Sequence, residues 1–174
     1  MRAVLAYEYT PGTAAQAPAS WPADTAIPAP RERPTLVLLM HPQCSCSRAT
    51  LAELARLMAR VQGRLDAYVL VLDPFGGRDA AWVQSDLWTT ASSIPGVRVL
   101  RDPAGGQARR FGAFTSGQVV LYDASGRLRF AGGITDARGH EGDNAGRAAL
   151  EDLLLREAAS RTRTAVFGCG LFAS

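Results

Sequence analysis

Lysine is absent from this chain, and all nineteen basic residues are arginine. Against 16 acidic residues they leave a formal charge of only +3, and they are scattered along the sequence. A nucleic-acid surface calls for a basic stripe with interleaved aromatics. The scatter, with aromatics at 7%, argues against a nucleic-acid partner, and no acid-binding face stands out. Cysteine is scarce as well: three in 174 residues are too few for a disulfide scaffold. An odd count leaves either a free thiol or a pair that changes partners. Long apolar runs are missing. Residues Met1 to Ala6 hold an apolar patch too short to span a bilayer or to act as a signal peptide, so the chain as written is expected to be soluble. What is there, 47% hydrophobic and 20% charged residues, fits one globular domain with a sizeable core and an appendage or two.

The appendage comes first. From Pro11 to Pro34 the chain turns to Ala, Pro, Thr and Ser, with proline at 11, 18, 22, 28, 30 and 34, the composition of a linker or extended arm. Residues 1–34 therefore read as an arm, either a tether to a membrane anchor lost from the front or an extension that hugs the surface. Thr35 to Met40 is a continuous apolar run of the length of a buried strand. After the turn His41-Pro42-Gln43-Cys44-Ser45-Cys46-Ser47, a helical stripe of Leu51, Leu54, Ala55, Leu57, Met58 and Val61 runs to a stop at Gly63. Ala67 to Leu72 and Val97 to Leu100 read as further strands, with one helix expected over Ala80 to Ser93 through Trp82, Val83, Leu87 and Trp88. Gly106 to Phe111 makes one or two helical turns. Gln118 to Tyr122 and Arg127 to Ala131 flank Asp123-Ala124-Ser125-Gly126, a hairpin signal. A last helix covers Ala145 to Ala159, with Asp143 or Asn144 as its cap.

That order, βαβαβαββα, predicts an α/β chain: a central mixed sheet with helices on both faces and a C-terminal hairpin plus helix. It resembles the thioredoxin fold, in its TlpA-type and peroxiredoxin-like branch, over residues 35–160, leaving 161–174 as a tail. The most specific stretch is strand, cysteine turn and long helix, Thr35 to Met58. Taken with Gly132-Gly133-Ile134-Thr135 and the late Phe167-Gly168-Cys169, the segment from His41 to Arg48 is similar to RedB-type thioredoxin-like proteins.

A strand handing over to a helix leaves the first helical N–H groups unpaired, and their partial positive charge stabilises a thiolate. Cysteine at that place becomes a nucleophile for thiol–disulfide exchange, and Cys44 stands where the resemblance puts the attacking cysteine. Two departures qualify it. Those relatives keep two residues between their cysteines, whereas here only Ser45 separates Cys44 from Cys46. Residues two apart on a regular helix point to nearly opposite sides, so a bond between them needs Cys44 in the non-helical turn. If Ser47 holds the second-cysteine position, Cys46 or Cys169 must resolve instead. The relatives also place a cis-proline before the hairpin's first strand. Here that position falls on Gly117, after Thr115 and Ser116, which with Pro42, Gln43 and Ser47 are expected to line the site.

Strand directions bring the loop from Gly132 to Asn144 over the cysteines, with Arg138, His140, Glu141, Asp143 and Asn144, a polar density beyond that of a connector. A last helix of about fifteen residues, about 22 Å, carries the chain away, and eight extended residues carry it back about as far. Cys169 is thereby in reach of the pair, as a catalytic partner or as a small buried thiol packing the tail.

The leading expectation is thus a thiol–disulfide oxidoreductase acting through a Cys-x-Cys site, with Cys44 attacking, Cys46 resolving and Cys169 as a third partner. It needs no cofactor, takes protein thiols, disulfides or a redox protein as partner, and touches a membrane only through a missing anchor. The resemblance implies a periplasmic or exported, membrane-tethered setting. The alternative is metal binding: His41, Cys44, Cys46 and His140 offer sulfur and imidazole to copper or zinc, an arrangement similar to that of Sco-type copper proteins, whose cysteines are spaced wider. Peroxidase chemistry is disfavoured, since the Pro and Thr that peroxiredoxins place ahead of their cysteine are missing. Gly76-Gly77 and Gly105-Gly106 are loop signals and no phosphate cradle, and Trp82 and Trp88 are packing residues.

Overall fold

The computed structural model describes residues 7–77 and 80–172; the apolar patch at Met1 to Ala6 lies outside them. Five strands form one sheet in the order β3-β2-β1-β4-β5, with β1 Thr35–Met40, β2 Asp66–Asp73, β3 Val97–Pro103, β4 Gln118–Tyr122 and β5 Leu128–Gly132. The three strands joined by helices, β1 to β3, pair in parallel, and β4 and β5 run antiparallel as a hairpin beside β1. Every residue of β1 is buried, as expected of a central strand covered on both faces.

One face carries α1 Ser47–Val61, α2 Ala80–Val83, α3 Asp86–Ser92 and α5 Ala145–Arg156. Leu51, Leu54 and Leu57 of α1 pack there with Leu36, Leu38, Met40 and Leu150. The expected single helix over Ala80 to Ser93 is two short ones. Ser85 is extended, with φ −80° and ψ 174°, and Asp86 opens the next turn, so Ser85-Asp86 is a helix start that the apolar spacing of Trp82, Val83 and Leu87 concealed. Asn144 caps α5 by accepting from the Arg147 N–H at 2.8 Å.

The opposite face holds one short helix, α4 Gly106–Arg110, and the two appendages complete its cover. Ile27 is buried there, and Trp21 stands edge-on to Phe111 and Tyr122 at 5.1 and 5.2 Å. The Tyr122 hydroxyl donates to Pro18 O at 2.9 Å, Gln16 N to Gly112 O at 2.9 Å, and Leu128 N to Ala19 O at 2.9 Å. Residues 11–34 are therefore laid along the domain, their missing apolar periodicity replaced by backbone pairing and two apolar anchors. The tail runs beside β5 through a parallel bridge between Ala131 and Arg163, then buries Leu171 in the same cluster. Among the described residues no helix is long and apolar enough to cross a membrane.

Candidate active site

β1 ends at Met40, and the chain turns through His41 to Cys46 into α1. Cys44 N–H donates to His41 O at 3.1 Å, and Ser47 N–H to Cys44 O at 3.0 Å. Cys44 is thus in the non-helical turn, while Cys46, with φ −63° and ψ −26°, is the residue at which the helix begins. The turn is pinned from below by Ser116: its hydroxyl accepts from His41 N–H at 2.8 Å and shares a hydrogen bond with the Ser47 hydroxyl at 2.8 Å. Gly117, at φ +92°, donates its N–H to Leu39 O at 2.9 Å. A side chain there would crowd Thr50 of α1 as well as strain the backbone, which accounts for glycine at the place where the resemblance expects proline.

The structure brings all three cysteines together. Cys44 is 1% exposed, and its sulfur lies next to the thiols of Cys169 and Cys46. Burial pushes the Cys44 thiol up, but the Cys169 thiol and amide, with the hydroxyl and amide of Ser47, outweigh burial and bring it below its ordinary range. Burial raises Cys46, and the Cys44 charge adds to the rise against the guanidinium of Arg138. Burial and the bonded, charged Cys44 push Cys169 up to about 12. Of the three, Cys44 is the thiol whose surroundings favour the thiolate, and those of Cys46 and Cys169 favour the thiol. All three are free thiols.

Arg138 is the one polar group of the overhanging loop that reaches the cysteines. It donates to Gly168 O and, at 3.1 Å, to Tyr7 O, and lies over the Tyr7 ring at 4.5 Å. The other expected groups serve elsewhere: Glu141 pairs with Arg56 at 3.1 Å, Asp143 with Arg147 at 3.1 Å, and His140 is exposed. What holds this loop is Glu53, fully buried on α1. Its carboxylate accepts from Gly142 N–H at 2.8 Å, Asn144 Nδ2 at 3.2 Å and Arg147 Nε at 2.7 Å, and also from Arg56. Sequence reasoning passed over Glu53 as a polar position beside the stripe; its signal is that it sits one residue before Leu54 and four before Leu57, on the buried side of the helix.

Of the remaining expected residues, Pro42 and Gln43 line an open cleft of about 370 Å³ with Cys44, Ser45, Arg48, Ser85, Asp86 and Leu87. The Gln43 side chain donates to Trp82 O at 3.2 Å. Thr115 faces the arm instead, donating to Thr13 O at 3.1 Å. His41 packs edge-on to Trp82 at 5.3 Å, its Nδ1 accepts from Gln43 N–H at 3.1 Å, and burial lowers its pKa. Among the described residues no group of three or more His, Cys, Asp or Glu side chains is placed to hold a metal ion.

No family model matches the chain, and no curated protein does. Solved structures do. An uncharacterised conserved protein from Geobacillus kaustophilus aligns over 95% of this chain and 93% of its own, with 16% identity and a TM-score of 0.66. A thioredoxin-like protein in its oxidised form aligns over 79% of this chain and 93% of its own, at 16% identity and TM-score 0.53. A protein from Chlorobium tepidum, provisionally named thiol:disulfide interchange protein DsbE, aligns over 84% and 96%, at 17% identity and TM-score 0.52. At these identities the likeness is one of fold, and the fold is thioredoxin-like.

Proposed function

We propose that this thioredoxin-like chain is a thiol–disulfide exchange protein in which Cys44 attacks and Cys169 resolves. The observation that carries the reading is the meeting of three thiols at the turn into α1, where Cys44 is buried beside Cys46 and Cys169 and donors from Cys169 and Ser47 favour its thiolate. A thiolate is the attacking form, and a neighbouring thiol completes the exchange. The Cys44 thiolate attacks one sulfur of a partner's disulfide, a mixed disulfide forms, and the partner's second sulfur leaves as a thiolate that takes a proton. Cys169 then loses its proton and attacks the Cys44 sulfur. A Cys44–Cys169 disulfide forms and the partner departs with both sulfurs reduced. Run backwards, the same steps oxidise a partner dithiol. Neither direction requires a bound cofactor.

Cys46, half-buried like Cys169 and next to Arg138, stands as the thiol through which a second redox protein recharges the pair. The setting we infer is exported and periplasmic, with the chain tethered to a membrane; disulfides form and persist in such an oxidising compartment, and the Chlorobium tepidum neighbour is provisionally named an interchange protein. The RedB-like motif from His41 to Arg48 supports the narrower kinship.

The test is reduction of insulin disulfides by the reduced chain. Cys44→Ser should abolish it, and Cys169→Ser should stall as a mixed disulfide trapped on Cys44, detectable by intact mass. Undiminished insulin reduction by Cys44→Ser would overturn the proposal.

A further inference from the structure

Cys169 is delivered by a stretch of chain with little of its own to hold it. It stands between Gly168 and Gly170, and glycine gives a backbone its widest choice of conformations. The apolar anchors of the tail, Val166 and Leu171, are each 3% exposed and lie outside that triplet. Two polar contacts fix its middle. Ser116 N–H donates to Cys169 O at 2.8 Å, and the guanidinium of Arg138 donates to Gly168 O. The same guanidinium donates to Tyr7 O at 3.1 Å and to Thr10 O at 3.4 Å and lies over the Tyr7 ring, while the Arg138 amide donates to Glu8 O at 3.0 Å. Arg138 is half-buried, although Gly139 and His140 after it are exposed. Its footing is firm as well, since Ala137 is buried and Glu53 accepts from Gly142 N–H at 2.8 Å. A planar fork engaged with three carbonyls at once is a positional device that a lysine ammonium does not reproduce.

We infer that Arg138 is a positioning residue for the Cys44–Cys169 disulfide: its guanidinium, footed on the loop after β5 and braced against the arm at Tyr7 and Thr10, holds the Gly168 carbonyl so that the Cys169 sulfur stays beside Cys44. The inference rests on the exchange reading above. In the resolving step Cys169 loses its proton and its sulfur attacks Cys44 of the mixed disulfide; a new S–S bond forms, and the partner's sulfur leaves as a thiolate and is protonated. Arg138 acts in that step through the tail. It sets how often the tail presents Cys169 to Cys44, which is the effective concentration of the resolving thiol.

The experiment is a redox titration of the whole chain carrying Cys46→Ser, which leaves Cys44 and Cys169 as its only thiols. Each variant is equilibrated near neutral pH with mixtures of reduced and oxidised dithiothreitol. The two thiols give up two electrons and two protons, which open the ring disulfide of the oxidised reagent to its dithiol. Acid stops the exchange, free thiols are alkylated in denaturant, and intact mass gives the oxidised fraction. Arg138→Met should lower the equilibrium constant for closing the disulfide about tenfold, the worth of one charge-assisted hydrogen bond. Arg138→Lys keeps the charge but gives up the fork, and should move the constant in the same direction. A guanidinium acting through its charge alone does the opposite: it favours thiolates over the neutral disulfide, so its loss raises the constant. A rise, or no change, would overturn the positioning role. Failure of the chain that retains Arg138 to close any Cys44–Cys169 disulfide would overturn the exchange reading itself. If Arg138→Met lacks a cooperative melt, Arg138→Lys decides alone, a fall supporting the role and a rise or no change overturning it.

Discussion

Replacing Glu53 should cost several times what an ordinary surface change does, and the structure gives the size. The carboxylate has no exposed surface and meets two neutral donors, Gly142 N–H and Asn144 Nδ2, and two guanidinium groups. Glu53→Ala leaves the two neutral donors unpaired in the interior, at about 1–3 kcal/mol each where they stay dry. Arg147 loses its Nε bond but keeps Glu151 at 2.7 Å and Asp143 at 3.1 Å, so no cation is orphaned, and Arg56, half exposed, adds little after solvent screening. The sum is about 3–5 kcal/mol, the range for breaking a buried ionic cluster. In a chain of this length it lowers Tm by about 10 °C, at roughly 2–4 °C per kcal/mol. Glu53→Gln keeps one carbonyl acceptor and the volume, and should lose about half as much. Urea unfolding followed by tryptophan fluorescence measures both. If either order reverses, or both variants fall within about 0.5 kcal/mol of the parent as ordinary surface changes do, Glu53 is not what holds the loop over the cysteines.

Further consequences are equally specific. Ultraviolet thiolate absorbance, which needs no access for a reagent, should begin to rise at lower pH in the parent than in Cys44→Ser; an unchanged onset would contradict the donor arrangement around Cys44. Cys169 has a folded-state pKa raised to about 12 from an ordinary 9.0, so the folded state holds its proton longer than the unfolded state does. Its contribution to stability is present below pH 9.0 and is lost as pH rises through that interval towards 12. Cys169→Ala should flatten the fall in unfolding free energy over that window. Gly146→Ala should destabilise by about 1–3 kcal/mol through overpacking, although alanine is the better helix former by about 1 kcal/mol, because a methyl there overlaps the carbonyl of Gly133; thermal melting decides the sign.

β1 and β4 were legible because each is an apolar run of the right length: Thr35–Met40 and Gln118–Tyr122 fall where the sequence alone puts them, whereas β3 runs past the expected Leu100 through Arg101 and Asp102 to Pro103. Helix boundaries were less so. The break at Ser85 depends on one cap residue inside an unbroken apolar spacing, and α5 ends at Arg156, with Glu157 in the left-handed region at φ 59°. The approach of Cys169 was legible as a length argument, since a helix out and an extended tail back cover equal distances. What sequence could not show was the direction of side chains on loops. His140 and Arg138 stand two residues apart on one polar loop, yet one is exposed and the other reaches the cysteines, a difference set by Glu53 and Tyr7 at distant positions. The packing of residues 11–34 was equally hidden, because it relies on backbone bonds and isolated anchors such as Trp21 and Ile27.

The central claim, that Cys44 closes on Cys169, can be read from one digest. Cys44 and Cys46 lie on one tryptic peptide ending at Arg48, and Cys169 lies on another beginning after Arg163. The protein is oxidised, its free thiols alkylated, and the digest analysed by fragmentation mass spectrometry. A cross-linked pair of peptides with the alkyl group on Cys46 is the predicted result; a single peptide closed between Cys44 and Cys46, with Cys169 alkylated, would contradict it.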